Sequence, residues 1–586
     1  LKFPSKKDPV QYFRVELDTG LDRTAILGFL AVFLIAVVVY ANKFANGFVW
    51  DDHLFILGGE ARRGMGPADI LGYFTEPVAN LYRPLRSLVY AAAWNLGGSE
   101  PFVYHLVGVT LHALACGAFF LICLRLSLKK EWAFFAAVLF AVHPLKTGRV
   151  TNMTGGFDLL AIVFYLFALV LFLDFLSGKT KPFYKLVFSY ALFVAALFSG
   201  EEAYTFPLAA VFAAWFLPSK QKAKGFYAAG GSFLLLAGFL ILRTAMIASI
   251  SRGGPAIHPV PGLAFGTFLG YFPLYLRLFI MPIRQSYLYD DLQIAHTFWN
   301  PSTLLGAGIA VAFAVVIFMM RKKDAALSFG LAFGGIAMAP FSNIIPVATL
   351  FAERYFYLPS AGFTIAAVAL ISRLDANKKV LKIVLVALVA ALSLLTLARN
   401  NNWRTEQSLY EESVRNRPAS LTAKHNLGEI YQRIGYNLFL QKDSSAKVWY
   451  QKALDVSESS KAHIGMGNSF LDEGNTALAK SHFKRALELE PNYPKAIYPS
   501  AKLLLADKEF QQAKALLQRL YPKHAKQDLG WLLMGQTCQA LGENDGDCLS
   551  GFKVAPDPRM WVGRGIQLAL TGQNEDAVLW FNMFLD

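Results

Sequence analysis

Cysteine is scarce in this chain, four in 586 residues, and none has the spacing of a zinc site. Cys116 and Cys123 lie seven apart within one apolar run, too far to bond to each other. Cys538 and Cys548 bracket an expected helix–helix turn at 541–546, so a disulfide between them is possible if that region faces an oxidising compartment. No other cluster has metal-ligand spacing of its own; the Glu201-Glu202 pair could bind a cation but has no companion ligands, and the sequence does not decide whether a divalent ion assists. A small-residue cleavage pattern is also lacking after the first apolar run (24–40). With the polar stretch 1–23 before it, that run is expected to be a retained helix and not a signal peptide. Acidic residues are outnumbered, 41 against 56 Lys and Arg, giving a net charge of +15. In a soluble chain this would suggest nucleic acid. Here the basic residues cluster in short connections between apolar runs, the footprint of cytoplasmic loops, and no nucleic-acid partner is implied.

Apolar sequence is abundant. Hydrophobic residues make up 55% of the chain and aromatics 14%, above the roughly 45 to 50% apolar content of soluble domains. The excess resides in eleven runs: 24–40, 103–124, 132–142, 159–175, 183–198, 205–217, 225–242, 304–320, 325–338, 355–371 and 380–397. Basic connections then alternate. Lys6, Lys7, Arg14 and Arg23 precede the first run; Arg125, Lys129 and Lys130 follow the second; Lys179, Lys181 and Lys185 the fourth; Lys220, Lys222 and Lys224 the sixth. A twelfth run, 263–280, carries Pro273 and Arg277 and would break the alternation, so it is expected to be half-inserted or on the surface. Eleven crossings put the N-terminus in the cytoplasm and the C-terminal region outside it, in a bacterial periplasm or the lumen of the endoplasmic reticulum.

After Asn400 the composition becomes charged and helical, and it repeats. Ala479 and Ala513, Phe470 and Leu504, and Lys480 and Lys514 are each offset by 34, the period of a tetratricopeptide repeat. An earlier copy begins at Trp449-Tyr450 and a late one spans 572–577. Stacked repeats bury a face that one repeat could not, and offer an extended surface to a protein partner. The expected segments are 1–23 cytoplasmic, 24–400 membrane domain with a first extracytoplasmic loop at 41–102, and 401–586 repeats.

The loops carry ordered motifs: Phe48-Val49-Trp50-Asp51-Asp52-His53; Tyr82-Arg83-Pro84-Leu85; His105 and His112; Ala141-Val142-His143-Pro144; Asp158-Leu159-Leu160; Glu202 with Pro207; and Pro346, then Glu353-Arg354-Tyr355. Together they resemble the transmembrane and tetratricopeptide-repeat family of GT-C glycosyltransferases, and more distantly the protein O-mannosyltransferases. The resemblance implies an all-α, polytopic GT-C-like helical domain of about eleven transmembrane helices followed by a tetratricopeptide-repeat α-solenoid.

It also implies an enzyme that moves a sugar from a polyprenyl-phosphate donor to an acceptor hydroxyl outside the cytoplasm, with inversion. Asp51 or Asp52, with Asp51 favoured, would take the acceptor proton. Arg83, His143, Lys146 and Arg354 would hold the lipid phosphate, supported by Tyr82, His105, Asp158, Glu202 and Glu353. Each has a plainer reading. Arg83 and Lys146 can be interfacial, His143 can cap a helix, Glu353-Arg354 can be a structural ion pair, and Tyr82 can belong to an aromatic belt. The chain departs from the family at Gly108, Gly148, Gly156 and Glu201, where an Asn, an acidic, a basic and a basic residue are usual. A degenerate scaffold, docked in a membrane complex through its repeats, is therefore the alternative to the enzyme. A transporter would show a twofold internal repeat and ionisable residues at mid-bilayer, and neither is clear.

Overall fold

Every one of the eleven apolar runs folds as a helix. The computed structural model describes residues 22–58, 64–78, 81–178, 182–216, 222–247, 261–344, 349–374, 377–520, 528–541 and 578, and no β-strand forms among them. Cys548, Pro346, the repeat copy at 572–577 and the segment 1–21 lie outside the described residues. The chain divides into two compact units, 1–420 and 421–586.

In the first unit, local signals place the helix ends. The Asp22 carboxylate accepts the Ala25 N–H at 2.7 Å and starts the Arg23–Val39 helix. Asp324 and Asn377 cap the Ala325–Ala337 and Lys378–Asn402 helices in the same way. Proline opens Pro84–Gly97, Pro101–Arg125 and Pro301–Met320, where its missing N–H costs nothing.

Among the described residues seven helices are long and apolar enough to cross a membrane: Pro101–Arg125, Met153–Ser177, Lys222–Met246, Gly262–Ile280, Pro301–Met320, Glu353–Ile371 and Lys378–Asn402. The protein is integral to a membrane. The run expected at the surface is among the seven. Its helix, Pro261–Ile280, continues through Pro273 and seats Tyr275 and Leu278 in a cluster with Phe351, Phe356 and Phe363. The expected sidedness depends on whether this helix crosses. Lys130–Val142 and Phe206–Phe216, with 13 and 11 residues, are too short to cross unaided.

Small residues let the helices close up. A Cβ on Gly362 would stand 2.3 Å from the Gly334 nitrogen, so Ala325–Ala337 and Tyr357–Ile371 pack backbone to backbone. Arg125 grips Asp174 through two bonds, 2.6 and 3.0 Å, and joins two buried helices. The 401–420 segment, expected with the repeats, belongs to the first unit: Leu409 of the Glu406–Asn416 helix is buried in a cluster with Val49, Tyr287 and Trp403.

The second unit stacks Leu421–Leu440, Ala446–Val456, Ser460–Asp472, Thr476–Leu489, Pro494–Ala506, Phe510–Gln518 and Asp528–Leu541. Ala479 and Ala513, one period apart, are both fully buried. Gly474, at φ 77°, ends the Ser460–Asp472 helix in the left-handed conformation, and Lys508 takes the same role one period later at φ 65°. Cys538 is buried on the last of these helices.

Candidate active site

The segment after the first helix makes a short 3₁₀ turn, Ala41–Ala45, and then runs extended to Trp50, which sits at φ 52°. A bulky residue costs about 1 to 2 kcal/mol in that region and stays there only when its surroundings insist. They do: Trp50 packs edge-on against Tyr287 at 4.4 Å, and Tyr287 against Trp403 at 5.1 Å.

The two adjacent carboxylates that follow have opposite fates. Asp52 is fully buried and saturated: one oxygen accepts the Thr154 N–H at 2.9 Å and its hydroxyl at 2.7 Å, and the other accepts the Val49 N–H at 3.1 Å. Asp51 is half-buried and makes no hydrogen bond or ion pair among the described residues. Burial pushes its carboxyl up to about 7; Arg354 pulls the other way, while Asp52 and Asp158 add to the rise. Asp51 is therefore a free carboxyl that titrates at neutral pH.

Arg354 is its cationic counterpart. It has no carboxylate partner and no hydrogen bond among the described residues; its guanidinium lies 5.6 Å from the Trp50 ring centroid and 5.3 Å from that of Tyr355. Its fork of donors is open to an anion.

Arg83 is differently placed. It donates to Asp158 at 2.8 Å and to Glu201 at 2.6 Å. Arg86 meets the same Asp158 at 3.0 Å, and Arg149 meets Asp158 at 3.2 Å and also Glu202. Three guanidiniums thus face three carboxylates in a buried, charge-balanced lattice. Its charges reach Asp51, since Asp158 and Arg86 both act on that carboxyl. Arg83 Nε and Arg149 Nε are buried without a partner.

The other expected residues are each engaged by protein partners. His143 donates from Nε2 to the Phe279 carbonyl at 2.8 Å, accepts the Leu145 N–H on Nδ1 at 3.2 Å and stacks on Phe279. Burial lowers its pKa to about 3, which suits that neutral tautomer. Lys146 is buried, bonds Ser360 Oγ at 2.6 Å and lies 3.8 Å from the Phe140 ring centroid, with its pKa lowered by burial to about 7. Glu353 binds Arg399 at 2.8 Å together with Gln285, the Ser286 N–H and Tyr289. His105 bonds the Asn46 carbonyl at 3.0 Å, His112 the Tyr357 hydroxyl at 2.7 Å, and Tyr82 the Phe74 carbonyl at 2.9 Å.

Three of the four departures have local causes. Glu201 is a partner of Arg83. A Cβ on Gly156 would stand 3.0 Å from the Gly108 Cα, and one on Gly108 would stand 3.2 Å from Lys43 Nζ. Two backbones meet there, and the buried Lys43 amine, donating to the Val150 carbonyl, fills the remaining space. Around Gly148 there is room, with only Trp403 near, at 3.8 Å.

Sequence reasoning missed Arg86, Lys43, Tyr287 and the run Asn400-Asn401-Asn402-Trp403-Arg404. The last did carry a signal: three consecutive amides at the end of an apolar span are expensive unless the backbone beside them needs partners. Among the described residues no group of three or more His, Cys, Asp or Glu side chains is arranged to hold a metal ion.

Comparison with known proteins matches the tetratricopeptide-repeat family model to residues 470–537. The protein O-mannosyl-transferase F38B6.6 of Caenorhabditis elegans is 25% identical over 460 residues, covering 74% of this chain and 63% of its own length. Protein O-mannosyl-transferase TMTC3 of Mus musculus is 25% identical over 525 residues, 80% of this chain and 56% of the relative. Tmtc1 of Drosophila melanogaster is 30% identical over 200 residues, 33% and 23%. The chain thus spans about six-tenths of the length of the first two relatives. Among solved structures, ArnT from Cupriavidus metallidurans bound to undecaprenyl phosphate aligns over 92% of this chain and 91% of its own, at 15% identity and a TM-score of 0.36.

Proposed function

Since the chain belongs to the transmembrane and tetratricopeptide-repeat family, we propose that it is a membrane glycosyltransferase that moves a sugar from a polyprenyl-phosphate donor to a protein hydroxyl on the extracytoplasmic side, with inversion. The observation that carries this reading is the pair of unspent charges, the Asp51 carboxyl and the Arg354 guanidinium, in a site where every other charged group described above is already engaged.

Ionised Asp51 takes the proton of the acceptor hydroxyl as its oxygen attacks the anomeric carbon. The bond from that carbon to the phosphate oxygen breaks on the opposite face, and the electron pair leaves with the polyprenyl phosphate. Arg354, fixed over Trp50, stabilises the charge that develops on the departing phosphate. Asp52 holds the loop so that its neighbour is free, and the Arg83 lattice fixes the helix ends around the site. The repeats recruit the protein acceptor or a partner complex.

The balance of that lattice supports a second reading. Arg83, Arg86 and Arg149 are neutralised by Asp158, Glu201 and Glu202 without any ligand, as would suit a scaffold that no longer binds a phosphate. Binding of a polyprenyl phosphate to the purified protein separates the two. The enzyme binds it and loses at least tenfold in affinity in Arg354→Ala; a scaffold binds it no better than an uncharged polyprenol and is indifferent to the substitution.

A further inference from the structure

We propose that Trp403 is a positioning residue for Asp51, so that the end of the last membrane helix and the turn beyond it set the geometry of the site. This rests on the reading of Asp51 as the base.

The loop that carries Asp51 has no regular structure between Ala45 and Trp50, so something outside it must hold it. The 400–404 segment does so before Trp50 and, through Tyr287, at Trp50 itself. Before it, Asn46 donates to the Asn400 carbonyl at 2.9 Å, and Gly47 donates its N–H to the Arg404 carbonyl at 3.1 Å. Asn400 is itself pinned: it donates to Asn42 Oδ1 at 2.8 Å and to the Val39 carbonyl at 3.2 Å, and accepts from the Thr151 hydroxyl at 2.6 Å. At Trp50 the restraint is aromatic. Trp403, 2% exposed, is the wall behind Tyr287, and Tyr287 is the wall behind Trp50.

The left-handed Trp50 is where this restraint acts. Without a wall its backbone would relax to an ordinary φ, and a rotation there swings the next residue, Asp51. Of the groups whose charges bear on the Asp51 carboxyl, Arg354, Asp158 and Arg86 lie on three other segments that would not move with it. The buried Tyr287 hydroxyl also faces this charge set. Trp403 contacts none of the reacting groups; it acts through two rings.

The test uses full-length protein carrying Trp403→Ala or Trp403→Phe, each with and without Asp51→Asn. Thermal unfolding across pH gives the stability difference between each chain and its Asp51→Asn counterpart, and that difference reports the Asp51 carboxyl without any need for turnover. In the unmutated background it changes up to about pH 7; in Trp403→Ala it levels off at least one pH unit lower, with Trp403→Phe between. Where transfer is measurable, kcat falls by about 10²-fold, the effect of a misplacement of about 1 Å, and the donor KM stays constant. A folded Trp403→Ala chain with the original midpoint and kcat overturns the proposal, and if that variant does not fold, Trp403→Phe decides by the same readouts. A shifted midpoint in a chain that transfers nothing supports the positioning role and counts against the transferase reading alone.

Discussion

Asp52 and Thr154 are joined twice, by the Thr154 N–H at 2.9 Å and its hydroxyl at 2.7 Å, both to the same carboxylate oxygen. The bond pair ties the Asp51 loop to the turn that leads into the Asp158 helix, and it removes one of two adjacent carboxylates from chemistry. Removing Asp52 leaves a buried donor pair unsatisfied, at about 1 to 3 kcal/mol. Asp52→Asn keeps one acceptor oxygen but turns an NH2 group against the donors on the other side, the Val49 N–H if the Thr154 pair is kept, so it is expected to lower the unfolding midpoint, whereas Asp51→Asn is not.

The pH dependence has a definite sign. The ordinary value for an aspartate is 3.8, and the folded chain raises Asp51 to about 7, so between these values the native state holds the proton more firmly than the unfolded one. Stability from this group is complete below pH 3.8 and is lost as pH rises through 7. Asp51→Asn should stabilise the protein by an amount that grows across that window and then stays flat. Transfer, which needs the ionised form, should instead rise with pH, about tenfold per unit below 7, and level off above it. Lys43, lowered by burial to about 7, acts in a separate range: its contribution is lost as pH falls through 7. The difference between the two chains isolates Asp51.

The Gly108–Gly156 contact leaves no room for a side chain. Gly156→Ala, meeting backbone at 3.0 Å, is expected to cost about 1 to 3 kcal/mol. Gly108→Asn, which restores a residue usual in the family, should be destabilising alone and less so with Lys43→Ala, because the two side chains compete for one space. A double-mutant cycle on unfolding midpoints measures that coupling.

Within the charge lattice, Arg149 touches both Asp158 and Glu202. Arg149→Ala leaves two buried carboxylates short of a partner, and breaking such a pair costs about 3 to 5 kcal/mol. Denaturation in detergent, with the repeats as internal reference, should show the loss in the membrane unit.

In the repeats, Lys508 holds the left-handed position that Gly474 fills one period earlier. Lys508→Gly should raise the stability of the repeat unit by up to about 1 kcal/mol, read as a higher unfolding midpoint.

The helices and the repeat were legible because their signals are local: run length, caps at Asp22 and Asp324, and a 34-residue offset that returns Ala479 and Ala513 to the same buried position. The run at 263–280 was harder, since Pro273 and Arg277 argue against a crossing while length and hydropathy allow one. At the site, the resemblance offered Asp51 or Asp52 as the base and Arg83, His143, Lys146 and Arg354 for the phosphate, without separating them. It could not show that Arg83 faces Glu201, 118 positions away, or that Trp403 backs Tyr287, because those pairings are made by packing between distant segments. Gly156, which looks like a missing charge in one dimension, is a contact point in three.

The most direct measurement is sugar transfer from radiolabelled polyprenyl-phosphate sugars to hydroxyl-bearing peptides by the purified protein, compared among the unmutated chain, Asp51→Asn, Asp52→Asn and Arg354→Ala. The account expects transfer by the unmutated chain, a loss of at least 10²-fold in Asp51→Asn with donor binding retained, and a loss of both binding and transfer in Arg354→Ala. Asp52→Asn should keep part of the activity in proportion to the fraction that stays folded. Transfer that survives Asp51→Asn undiminished would contradict the account, and no transfer from any donor by the unmutated chain would leave the scaffold as the better description.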